Sequence, residues 1–88
     1  MKTYIYKTKI CTWVVRNHDF PTSPPWELCW YLPGGIWERS GYYKYANQAA
    51  DDAYCQATGF SDWDMLPPEA IPQEMQDIGN WSQVKCYP

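Results

Sequence analysis

The sequence predicts an α+β fold: a three- to four-stranded antiparallel sheet in β-β-β-α-β order, with one main helix packed on one face. Three observations predict it. Trp26, Leu28, Trp30 and Leu32 alternate with Glu27, Cys29 and Tyr31, the period-two pattern of a strand with one strongly apolar face. Pro33-Gly34-Gly35 separates that run from Ile36–Ser40, as a hairpin turn separates paired strands. Ala46, Ala49, Ala50, Ala53, Tyr54 and Ala57 fall on a single side of a 3.6-residue helix. With 88 residues, the chain is expected to hold one domain, 1–88.

In chain order, residues 2–16 read as one long strand, kinked or bulged at Lys7-Thr8-Lys9, because β-branched and aromatic types dominate from Thr3 to Val15. Residues 17–25 contain three prolines among short polar side chains and read as a loop. The hairpin follows, with Glu38 and Arg39 directed to opposite faces and each expected to be solvated at an edge. The helix spans Ala46 to Ala57, Gln48, Asp51, Asp52 and Gln56 facing water, and Gly59 supplies a left-handed stop. Five alanines on its inner face let it approach the sheet closely and leave room for tryptophans from the hairpin. Beyond it, one helical turn capped by Ser61, a break at Pro67-Pro68, a short helix from Ile71 to Ile78 and a last strand from Trp81 to Tyr87 are expected.

Composition narrows the function classes. A net charge of −3 argues against generic duplex binding, which depends on Lys and Arg neutralising phosphates. Five of the seven basic residues lie in the first 39 positions, and acids dominate after Asp51. Such a surface suits a basic protein partner, or is ordinary solubilising charge. No apolar run approaches the roughly 20 residues of a membrane span, and Met1-Lys2-Thr3-Tyr4 leads into a strand rather than a signal-peptide core. A cytoplasmic protein with no membrane partner is therefore expected, in the host cytoplasm if the source is viral.

Cys11, Cys29, Cys55 and Cys86 form no C-x-x-C pair and His18 is the only histidine, so no metal and no cofactor are expected. In a reducing compartment the cysteines are small buried hydrophobes; in an exported protein two disulfides are open to them. No catalytic residues are assigned. A Cys–His pair of His18 with Cys29 is the nearest approach to a nucleophile and base, and a solvent-facing histidine explains His18 as well. Asp51 and Asp52, adjacent on a helix, diverge by roughly 100° and form no carboxylate dyad.

The aromatic residues remain. There are six Trp and eight Tyr, side chains with an apolar body and a polar tip that suit both thin cores and contact surfaces. With Trp26, Leu28, Trp30 and Leu32 assigned to the helix, Tyr31, Trp37, Tyr42, Tyr43 and Trp63 are the candidates for an exposed binding surface. Asp51, Asp52, Asp62 and Asp64 form a second, acidic candidate set. A non-enzymatic protein-binding module is the leading expectation. A single-stranded nucleic-acid binder using Tyr4, Tyr6, Lys7, Lys9, Tyr31, Trp37 and Arg39 is an alternative, as is a structural subunit of a larger particle.

In length, acidity, Trp-rich sheet with one helix and lack of a catalytic residue set, the chain resembles the small phage-encoded proteins that inhibit host defence, anti-CRISPR proteins among them. No motif carries the resemblance. It implies a stoichiometric inhibitor that docks on a nucleoprotein complex, its acidic residues covering a basic nucleic-acid channel.

Overall fold

Four strands precede the main helix in the computed structural model, which describes residues 2–18, 21, 23–85 and 87. Strands β1 (Thr3–Lys7), β2 (Thr12–Asn17), β3 (Trp26–Tyr31) and β4 (Trp37–Tyr43) are followed by α1 (Ala46–Tyr54), a one-turn α2 (Ser61–Asp64) and β5 (Ser82–Val84). They build one antiparallel sheet of five strands, ordered β4-β3-β2-β1-β5. The α+β class, the antiparallel pairing and the single main helix agree with expectation. The strand count and the order β-β-β-β-α-β correct it.

The correction originates at Thr8. Its hydroxyl donates to the Cys11 carbonyl at 2.8 Å and accepts from the Ile10 and Cys11 amides, while its own amide donates to Cys11 O at 2.9 Å. A side chain that satisfies the backbone locally turns the chain rather than kinking it. The expected single strand is thus a hairpin, with Tyr6 paired to Trp13 and Tyr4 to Val15. The turn also changes which residues share a face. Tyr4, Tyr6, Trp13 and Val15 pack on the helix side, whereas Ile5 and Val14 lie on the outer side.

Leu28 and Trp30 face the helix, with Trp26 and Leu32 packed at the margin, as their parity requires. Ala49, Ala50 and Ala53 are fully buried against them, so small side chains on the helix meet large ones on the sheet. Trp13 lies at the centre, edge-on to Trp30, Phe60 and Trp63 with ring centroids 5.4–6.3 Å apart. Phe60 stacks flat on Trp30 at 4.8 Å. Tilted and offset ring pairs of this kind add to plain area burial.

The helix is shorter than the alanine pattern suggests. It ends at Tyr54, and Ala57 is exposed. The chain turns at Gln56, which takes a left-handed φ of 58°, three residues ahead of Gly59. The Gln56 side chain makes that turn useful: Nε2 donates to the carbonyls of Trp63 at 2.9 Å and Leu66 at 2.7 Å. At α2 the N-cap is Phe60, and Ser61 supplies no cap. The expected helix 71–78 is instead a run of tight 3-10 turns at Gln73–Gln76 and Ile78–Asn80, after a first at Pro68–Ala70. Met75 and Ile71 from this run enter the core, and Trp81 locks it by donating from Nε1 to Met75 O at 2.8 Å. The last strand keeps only Ser82–Val84 of the expected Trp81 to Tyr87. Asp19, Phe20 and Thr22 of the proline loop, and Cys86, lie outside the described residues. No helix among the described residues is long and apolar enough to cross a membrane.

Candidate binding face

Helix α1 covers one face of the sheet; the other is closed by side chains of the sheet itself and by Tyr87. Ile5, Val14, Cys29 and Tyr31 are buried there, packed with Val84 and Tyr87. Strand alternation places Arg16, Glu27, Trp37, Arg39 and Tyr42 on this same outer face. Between β3 and β4 the register shifts: Leu28 pairs with Gly41 but Cys29 with Arg39, which leaves Ser40 as the extra residue of a bulge. Ser40 turns its hydroxyl inward to the Thr58 carbonyl at 2.6 Å, and the bulge keeps both Arg39 and Tyr42 on the outer side.

Glu27 organises the face. Its side chain is only 6% exposed, and its two oxygens accept from Arg16 Nε and Arg39 Nε, each at 2.6 Å. Burial alone would raise the Glu27 carboxyl; the two arginines outweigh it and hold the group below the usual carboxylate range. The guanidiniums then interleave with rings. Arg16 sits 4.9 Å from the Trp37 centroid and 5.7 Å from that of Tyr31, and Arg39 sits 5.0 Å from Tyr42 and 5.9 Å from Trp37. Trp37 itself stacks on Tyr31 at 5.7 Å and 17°. The resulting ladder alternates Tyr31, Arg16, Trp37, Arg39 and Tyr42 across the sheet, and cation–π contacts stabilise each step.

The two arginines differ in what they have left. Arg16 is committed, with Nη1 donating to Tyr31 Oη at 2.7 Å and Nη2 lying 3.8 Å from Cys29 Sγ. Arg39 gives only Nε to Glu27; its Nη groups have no hydrogen-bond partner among the described residues, and its side chain is 37% exposed. Beside it stand Trp37, 41% exposed, and Ile36 at the hairpin tip, 64% exposed. These two also border a cleft of about 270 Å³ on the helix side of the hairpin, floored by Trp30 and Phe60. That volume suits one apolar side chain rather than a drug-sized ligand.

The aromatic candidates divide. Trp37 is exposed and Tyr42 half-buried on the outer face, where His18 meets Tyr42 edge-on at 5.1 Å. Tyr43 points the other way, its hydroxyl donating to Asp52 at 2.8 Å; burial first, then that hydrogen bond, raises its pKa. Tyr31 and Trp63 are buried, contrary to expectation. Tyr31 is roofed by Trp37, Arg16 and Tyr87, and Trp63 fills the main core with Nε1 bonded to Ala53 O at 2.8 Å. Arg39, expected to be solvated on its own, is held by Glu27.

The acidic candidates sit on the helical layer, and three have internal duties. Asp64 accepts from the amides of Thr58 and Gly59 and from the Thr58 hydroxyl. Asp52 accepts from Tyr43, and Asp51 from Gln76 Nε2 at 3.0 Å. Asp62 is exposed. Among the described residues, no three of His, Cys, Asp and Glu are grouped to hold a metal ion. Cys11, Cys29 and Cys55 are free thiols. Burial pushes Cys11 up to about 12 and Cys29 up to about 11; burial and the neighbouring Asp51 and Asp52 also raise Cys55. Thiols so placed are protonated at neutral pH and poor nucleophiles.

The sequence reasoning missed Glu27 and Arg16, and it placed Arg39 only in the nucleic-acid-binding alternative. Their signal was present: a glutamate inside an apolar strand with arginines on both neighbouring strands, visible once the β2–β3 register is known. Comparison with protein-family models, with curated proteins and with solved structures finds no match to this chain.

Proposed function

We propose that the protein is a non-enzymatic binding module that acts by protein–protein contact through the outer face at Trp37, Arg39 and Tyr42 and the adjoining hairpin tip at Ile36. The observation that carries this reading is a preorganised ladder of arginines and aromatics ending in an exposed Trp37. Trp, Tyr and Arg are the residue types that dominate binding energy at interfaces. Here Glu27 and the stacked rings hold them, so little side-chain entropy remains to be lost on association. The narrower reading is an inhibitor of a host defence or nucleic-acid-processing complex, working in the cytoplasm.

A second reading places the contact on the helical layer. Residues 46–84 include Asp51, Asp52, Asp62, Asp64, Glu69, Glu74 and Asp77 but no Lys or Arg, a one-signed surface suited to a basic nucleic-acid channel. The outer face is preferred because it offers apolar area and a free hydrogen-bonding fork, whereas Asp51, Asp52 and Asp64 already serve the fold. The test is affinity for a purified stoichiometric partner. Ile36→Ser and Trp37→Ala should each weaken it about tenfold or more, as anchors do. Met65→Ser, on a still more exposed apolar residue of the other layer, should leave it unchanged. Equal losses at all three positions would refute the assignment.

A further inference from the structure

We propose that the open edge of β4 receives an extended segment of a protein partner as a sixth strand, and that this segment carries an Asp or Glu whose carboxylate seats on Arg39. The proposal deepens the reading above and rests on it. Strand β4 terminates the sheet, and no described residue donates to or accepts from its backbone on the outward side. The opposite edge, β5, is only three residues long, whereas β4 has seven and contains no proline. Long open edges are templates for strand addition, and the bulge at Ser40 blunts only the second half of this one. The half before the bulge, Trp37–Arg39, is exposed at all three residues.

Register then assigns the chemistry. A residue set opposite Arg39 on an incoming strand projects onto the outer face, and the residue two positions away lies opposite Trp37. Arg39 spends Nε on Glu27 and keeps both Nη groups, an end-on fork that matches a carboxylate bidentately. Trp37 offers an apolar face beside it. The segment is therefore read as acidic, any residue, apolar.

Charge selects this occupant over two others. A phosphate backbone takes a row of cations; on this face Arg16 is committed and Lys7 lies on β1, three strands and about 14 Å from β4. A second copy paired about a two-fold axis at Glu38 or at Arg39 sets two carboxylates or two guanidiniums opposite each other, which is destabilising, and one centred at Trp37 sets Arg39 opposite Gly35, which offers its fork no carboxylate.

The experiment selects a phage-displayed library of seven-residue peptides on the immobilised full chain. Enrichment of Asp or Glu two positions from an apolar residue is expected. The strongest peptide, made synthetically, should lose about tenfold in affinity when its acid becomes Gln, and a similar factor against Arg39→Lys, which keeps a charge for Glu27 but not the fork. Amide exchange at Trp37–Arg39 should slow in the peptide complex. Peptides without an acid that still depend on Trp37 would overturn this proposal and leave the face assignment standing. Failure to select any peptide, binding that leaves the β4 amides unprotected, or a dimer of the free protein that competes with peptide would each overturn it as well.

Discussion

Glu27 is the residue on which the outer face depends. Replacing it with Gln leaves Arg16 and Arg39 close together without a counter-charge, and should cost about 2 kcal/mol, less than a fully buried pair because both arginines reach solvent. Its pH dependence follows from the lowered carboxyl. Stability from Glu27 is fully present above the ordinary glutamate value near 4.5 and is lost as pH falls through the depressed folded value. The urea midpoint of the wild type should therefore fall more steeply below pH 4.5 than that of Glu27→Gln; parallel curves would contradict the clamp. The tryptophans allow a second comparison. Trp63 and Trp81 each satisfy a buried carbonyl, whereas the Trp13 indole N–H, fully buried, has no hydrogen-bond partner among the described residues. Trp63→Phe should thus destabilise by about 1 kcal/mol more than Trp13→Phe in chemical denaturation. None of this was readable from residue type. The sequence shows that Glu27 interrupts an apolar strand, but the arginines that justify it are 11 and 12 residues away and meet it only through sheet register.

At the scale of elements, legibility followed locality. The hairpin from Trp26 to Tyr43 and the alanine-faced helix were legible because period and turn chemistry act over a few residues. The first hairpin was not, since Lys7-Thr8-Lys9-Ile10 contains no Gly, Pro, Asn or Asp; one threonine hydroxyl makes the turn. The end of α1 was misplaced for a similar reason, because a left-handed glutamine is unusual and its reward is tertiary. Substitution there separates strain from bonding. Gln56→Ala loses two hydrogen bonds and keeps the left-handed strain, whereas Gln56→Gly loses the bonds and relieves it. The glycine variant should be the more stable of the two by about 1 kcal/mol, measured by thermal or urea unfolding. The reverse order would mean that Gln56 does not end the helix in this way.

At the scale of the molecule, the sheet divides two surfaces of different character. One carries α1 and a helical layer that is acidic without exception from Asp51 to Asp77; the other carries arginines interleaved with rings around a single buried glutamate. The aromatic set expected at the surface is split by this division. Trp37 and Tyr42 belong to the outer face, Tyr43 and Trp63 to the helical side, and Tyr31 lies beneath the ladder. What sequence alone could supply was the list of aromatics; which of them face solvent depended on a bulge and a hairpin that only the assembled sheet reveals.

Hydrogen–deuterium exchange of the full chain, free and saturated with its stoichiometric protein partner, tests the central claim most directly. The account predicts slowed exchange across residues 36–42 in the complex, with residues 46–64 unchanged. Protection confined to residues 46–64, with the β4 amides exchanging as in the free protein, would contradict it.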